Sequence, residues 1–137
     1  MRSETRSYRT GAREVVLDLT EDCADFAADA SGGGDGLLHV FVPHATAGLA
    51  IIETGAGSDD DLLAALSDLL PADDRWRHRH GSKGHGRSHV MPGLVPPYAT
   101  VPVVGGRLQL GTWQSICLVD LNVDNHDREV RLSFLAG

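Results

Sequence analysis

Four of the seven histidines of this 137-residue chain fall close together: His78, His80, His85 and His89. Neutral imidazole is the commonest metal ligand, and three imidazoles that leave one position open are the arrangement of a catalytic zinc. A fifth, His44, follows Pro43 at the end of an apolar run, where the edge of a sheet would present a ligand. Spacing alone does not choose among the four loop histidines, because no zinc-binding helical motif and no cysteine pair accompanies them. The plain alternative is a polar loop whose histidines face solvent.

Other residue types add weaker candidates. Glu53 closes the apolar run 49–52, as a strand-end carboxylate turned to water or as a general base or ligand. Asp59, Asp60 and Asp61 stand where a helix begins; the helix dipole favours negative charge there, and a Mg2+ role is the alternative. Residues 81–88 (GSKGHGRS) have the look of a phosphate cradle but do not fit G-x-x-x-x-G-K-[ST]. Lys83 and Arg87 could still hold a substrate phosphate by charge, against the simpler picture of a solvated loop. In Gly111-Thr112-Trp113-Gln114 the indole suits core or a subunit contact, and Gln114 could read the edge of a substrate. No Gly-x-Ser-x-Gly elbow supports a serine hydrolase.

The elements that would position these groups follow from periodicity. Residues 13–19 (REVVLDL) predict a strand. A helix should then start at Thr20 as N-cap, with Glu21 and Asp22 in its first turn. Cys23, Phe26, Ala27 and Ala30 follow at helical spacing, and the glycines at 32–34 end the run. Residues 37–42 form a buried-type strand stopped by Pro43, and residues 49–52 another. Ser58 with Asp61 resembles a capping box ahead of the apolar face Leu62, Leu63, Leu66, Leu69 and Leu70, closed by Pro71. Residues 73–89 break every pattern, as functional or mobile loops do. Gly105-Gly106 between the strands 100–104 and 107–110 is a hairpin signal, and residues 115–123 and 128–134 complete six or seven strands. The expected architecture is α+β in one domain over residues 1–137: an antiparallel, sandwich-like sheet with two main helices.

Composition excludes some functions. A formal charge of −7 argues against general nucleic-acid binding, which needs clustered Lys and Arg. The polar residues 1–10 are no secretory signal, and no apolar run is long enough to cross a bilayer. Cys23 and Cys117 lack metal-type spacing and read as reduced core thiols, which places the chain in the cytoplasm.

Taken together, the segments resemble the YjbQ family, to which a secondary thiamine-phosphate synthase activity is ascribed. The resemblance spans residues 8–134. It is most specific in Val101-x-Val103-x-x-Gly106-x-x-x-x-Gly111-Thr112-Trp113-Gln114-x-Ile116, then in His44-Ala45-Thr46-Ala47-Gly48-Leu49 with Glu53 downstream. A third match is His78 followed eleven residues later by Ser88-His89. The signature usually opens with Ser, where this chain has Tyr98, and the family's helix start often carries His-Asp, where this chain has Asp59-Asp60-Asp61.

The resemblance implies a metal triad of His44, His78 and His89, with His80 and His85 as bystanders. Zn2+ is the expected ion, with Mg2+ as the alternative. Thr46 and Trp113 would lie nearby as substrate-binding residues, and Glu53, Gln114 and Arg128 as catalytic ones. It further implies a homotrimer acting on a small phosphorylated substrate, by joining an aminopyrimidine diphosphate to a thiazole phosphate with loss of pyrophosphate. In that reaction Lys83, Arg87 or Arg128 would stabilise the departing charge. Two other functions fit the same residues: a zinc hydrolase with Glu53 as base, and a non-catalytic trimer that binds a metal or a small anion.

Overall fold

A computed structural model describes residues 1–137 and shows an α+β architecture built on two antiparallel sheets. The elements run β1 (Arg2–Arg9), β2 (Val15–Asp18), α1 (Thr20–Ser31), β3 (Gly36–Phe41), β4 (Ala47–Ile52) and α2 (Ser58–Leu69). Two 3-10 turns follow, His85–His89 and Met91–Gly93, and then β5 (Tyr98–Val104), β6 (Arg107–Leu108), β7 (Ser115–Asp120) and β8 (Asp127–Ala136). The larger sheet has the order β1-β8-β3-β5-β6 and the smaller one β2-β7-β4.

The main core lies between the sheets and α1. Cys23, Phe26 and Ala27, spaced for one helical face, meet Leu38 and Val40 of β3, Val101 and Val103 of β5, and Val130 and Leu132 of β8. Each Leu or Phe removed from water there contributes about 1.5–3 kcal/mol before entropic costs. Strand β7 is apolar on both faces, which explains its unbroken run. Ile116 and Leu118 face the main core, whereas Val119 and the following Leu121 join Leu66, Leu70, Met91 and Val95 in a second cluster beneath α2. Both cysteines are buried and unpaired, and burial pushes each thiol up to about 12.

Several local expectations need correction. The N-terminal residues 2–9 form an edge strand. Their polarity hid it, because the face they turn to the helix is held by charge: Arg6 and Tyr8 reach Asp22, and Arg2 reaches Asp29. Leu19, not Thr20, caps α1. The Thr20 hydroxyl instead accepts the Ile116 N–H at 2.9 Å and ties the helix to β7. Ser58 makes no capping box either; α2 is entered through Gly57 at φ +100°, with no side-chain cap. The Gly105-Gly106 hairpin forms as its sequence requires, at φ +55° and +77°, pairing Val104 with Arg107. No helix is long and apolar enough to cross a membrane.

Candidate metal centre

The segment after α2 is held down by a buried arginine. Arg87, only 5% exposed, donates to the Leu70 carbonyl at 3.1 Å and forms an ion pair with Glu14. This fastens the turn His85–His89 to the end of α2 and to the segment entering β2. Arg87 is therefore committed to structure, and its charge is not presented to a substrate. Gly86 inside the turn admits the neighbouring chain: a Cβ there would sit 2.5 Å from the His78 carbonyl and from Trp76 Cβ. Trp76 is itself anchored by its indole N–H on the Pro71 carbonyl at 2.9 Å.

These constraints bring four imidazoles together. One ring nitrogen from each of His78, His80, His85 and His89 lies within 4.8 Å of all the others. Ring centroids are 4.0 Å apart for His78 and His89, and 5.0 Å for His85 and His89. Nε2 of His85 faces Nε2 of His89 at 3.1 Å, and Nε2 of His78 contacts Nε2 of His80. For comparison, tetrahedral Zn–N bonds of about 2.0–2.1 Å place ligand nitrogens about 3.3 Å apart.

The outer nitrogen of His85 is held by Asp124. Its Nδ1 lies 2.8 Å from Asp124 Oδ2. Asp124 Oδ2 also accepts the Ser82 N–H and hydroxyl, each at 2.9 Å. The Ser82 N–H, then its hydroxyl and His85, hold the Asp124 carboxyl below its ordinary range. A carboxylate on one nitrogen fixes the tautomer and turns the other nitrogen's lone pair inward. Loss of water, then the neighbouring imidazoles, lowers His78 and His89 below the usual histidine range and favours the neutral, ligating form.

The remaining candidates fall into two groups. His44, which the resemblance joins to His78 and His89, is not among the clustered imidazoles of this chain; its Nε2 accepts the Glu129 N–H at 2.8 Å. Burial, then the charge of Arg128, lowers its pKa. Arg128 and Asp120 form a fully buried pair, Nε to Oδ2 at 2.6 Å and Nη2 to Oδ1 at 3.2 Å. Asn122 takes its own N–H to Asp120 Oδ1 at 2.8 Å and gives its amide to the Thr46 hydroxyl at 3.2 Å. The Asn122 side chain also accepts the Asp124 N–H at 2.9 Å, which links this group to the histidines.

Glu53, Trp113 and Gln114 form the other group. Strand β4 pairs Ala47 with Asp120 and Ile52 with Ser115, so Glu53 lies at the far end of the small sheet from Asn122. Five residues of strand separate the ends by about 17 Å. Gln114 Oε1 accepts the Gly111 N–H at 2.7 Å, and Trp113 is 72% exposed. Lys83 is exposed on the wall of the cleft beside His78, His80 and His85.

The cluster takes in His80 and His85, which the resemblance implies as bystanders, and Asp124 beside it was not singled out in the sequence. Two signals were present: the His85-x-x-x-His89 spacing, and the alternation Asp120-x-Asn122-x-Asp124 just past an apolar strand. The Asx-type turns of Asp120 and Asn122 end β7 at Asp120 rather than at 123.

Fold and site together define an α+β protein that holds a histidine-rich loop against one end of a small antiparallel sheet. Residues 4–137 match the family model described as UPF0047 protein YjbQ-like, and the chain belongs to that family. It is 60% identical over 126 residues to the UPF0047 protein Rv2556c of Mycobacterium tuberculosis, covering 92% of each chain. A UPF0047 protein of Methanothermobacter thermautotrophicus is 31% identical over 125 residues, covering 91% of this chain and 85% of the relative. Among solved structures, the hypothetical protein APE1520 of Aeropyrum pernix superposes with a TM-score of 0.88 at 31% identity over the whole of both chains. A YjbQ/UPF0047 protein of Clostridium acetobutylicum does so with 0.86 at 28% identity, covering 96% of this chain and 99% of that one.

Proposed function

We propose that this chain is a metal-centred family member in which His78, His80, His85 and His89 hold one divalent ion beside a cleft for a small phosphorylated ligand. The observation that carries this is the convergence of four ring nitrogens, one of them backed by a carboxylate. An N–H···N hydrogen bond satisfies two facing imidazoles at a time, whereas all four ring nitrogens here lie within 4.8 Å of one another. A cation satisfies all four. Nitrogen donors suit Zn2+; Mg2+ prefers near-octahedral oxygen. A bound Zn2+ supplies Lewis acidity toward an oxygen of the ligand.

The chain's own groups supply the rest. Asp124 orients His85, and Arg87 with Gly86 fixes the spacing of the turn to residues 76–78. Lys83 and Arg79 bring positive charge to the cleft. The cleft holds about 240 Å³, room for one small anion and below the usual range for an organic ligand site.

Thiamine-phosphate synthesis is the second reading, favoured by the resemblance. It must bring two substrates together, and the Glu53, Trp113 and Gln114 end lies a strand's length from the histidines. Neighbouring copies would have to bring those ends together. A homotrimer is part of this proposal, supported by exposed Trp113 and by exposed Leu37, Phe41, Tyr98 and Leu135 on the larger sheet. A cytoplasmic location is supported by the two unpaired thiols.

The activities separate by assay. The Zn2+-loaded protein is offered the aminopyrimidine diphosphate with the thiazole phosphate, and separately simple phosphate esters. Glu53→Gln would abolish ester hydrolysis while keeping the metal if Glu53 is the base, and no turnover with either set leaves metal or anion binding as the function. Light scattering at micromolar concentration checks the assembly: a mass of three chains is expected, and a monomer contradicts it.

A further inference from the structure

The four histidines are not held alike. His85 is 8% exposed, begins the 3-10 turn and is fixed from behind by Asp124. His89 ends the same turn, half-buried, and the turn is pinned by Arg87. His78 is exposed, but its backbone is clamped, with its carbonyl in close contact with Gly86 and Trp76 two residues before it in the second core cluster. His80 has no such support. Its side chain is exposed, its one side-chain hydrogen-bond contact is with His78, and it is followed by Gly81 at φ +74°.

Four imidazoles close a tetrahedral site, whereas sites that act on a ligand keep one position open. From this inequality, and resting on the metal centre proposed above, we infer that His80 is an exchangeable fourth ligand that yields its place to a small oxyanion. His78, His85 and His89 are the permanent set. The ordering cost of His80 recurs each time it binds, because nothing else holds the side chain. The rings of His85 and His89 and the backbone of His78 are positioned by the fold before any ion arrives.

The cleft wall fits an oxyanion. Asp73 is neutralised by its ion pair with Arg75. Arg79 donates to the Trp76 and Asp74 carbonyls, each at 3.1 Å, and forms no salt bridge, nor does Lys83. Two unpaired cations, Arg79 and Lys83, therefore offset the carboxylates of Asp74 and, behind His85, Asp124, so the charge of the ion leaves the cleft net positive. Bound metal and Lys83 would attract the same phosphoryl or carboxylate oxygens.

The test uses full-length protein loaded with Co2+, whose visible absorption reports coordination, and inorganic phosphate as the probe. His80→Ala should still bind one Co2+, with affinity reduced no more than about tenfold. His89→Ala and His85→Ala should lose more than a hundredfold. Phosphate should shift the Co2+ spectrum of both wild type and His80→Ala, and bind the variant more tightly by the same factor, up to about tenfold, by which His80 strengthens Co2+ binding, because no side chain must first leave. Lys83→Ala should weaken phosphate binding several-fold and leave Co2+ affinity unchanged.

If His80→Ala loses the ion as completely as His89→Ala, the four ligands are equivalent and the inference is overturned. Equal phosphate affinity in wild type and His80→Ala overturns it too. Failure of the wild-type protein to bind Co2+ at all would overturn the metal centre itself, a separate result.

Discussion

Replacing Asp124 by Asn probes the link between sheet and metal centre with little else disturbed. The carboxylate sits past the end of β7, contacts His85 Nδ1 at 2.8 Å and accepts two bonds from Ser82 at 2.9 Å. An asparagine keeps the size and one acceptor oxygen but removes the charge that fixes the His85 tautomer. Loss of such an outer partner typically weakens metal binding by about 10–100-fold, or about 1.4–2.7 kcal/mol at about 1.4 kcal/mol per tenfold. The Asp124 side chain is 33% exposed, so screening by water should keep the loss of folding stability below about 1 kcal/mol. The two effects therefore separate. Competition between protein and a chelator for Zn2+ measures the first, and thermal melts of the metal-free protein measure the second. A Zn2+ affinity within twofold of wild type would show that Asp124 does not orient His85. An equally large loss of apo stability would show that it acts through the fold.

Other perturbations have equally direct outcomes. Asp120→Asn or Arg128→Met breaks a pair with both side chains fully buried, and should cost about 3–5 kcal/mol because the survivor is left unpaired; a chemical denaturation midpoint near wild type would contradict this. Gly86→Ala places a methyl 2.5 Å from the His78 carbonyl and Trp76, so it should shift residues 76–78 and weaken Zn2+ binding at least tenfold while the protein stays folded. Unaltered Zn2+ binding in that variant would mean the close approach does not set the ligand spacing. The metal-free protein should lose stability as pH falls. His44, His78 and His89 have folded pKa values lowered from 6.5, so the unfolded chain takes up protons below about 6.5 that the folded chain refuses. Their contribution is complete above that pH and declines below it. Melting temperatures in chelator that stay flat or rise from pH 7 to pH 5.5 would refute the sign.

The parts legible in the sequence were those fixed by local chemistry. Helix α1 follows from Cys23, Phe26, Ala27 and Ala30 on one face, and the β5–β6 hairpin from two glycines at positive φ. Strand β1, which pairs with β8, was illegible because the side chains it turns toward α1 meet acidic residues, so they are Arg6 and Tyr8 rather than Val or Leu. The histidine loop was recognisable by composition, and His78 and His89 do meet. Sequence could not show which other rings join them, since that depends on the arginine anchor and on Gly86. Nor could it show that His44 and Glu53 lie beyond opposite ends of β4, where the register of that strand sets their separation. Asp124 acts through a contact across 39 residues to His85, a pairing that no local pattern encodes.

Metal content is the most direct test. Purified protein, stripped and then equilibrated with Zn2+, should hold one ion per chain by elemental analysis. His44→Ala should retain that ion, and the His85→Ala, His89→Ala double variant should lose it. No bound Zn2+ in the wild-type protein, or full retention in the double variant, would contradict the four-histidine centre.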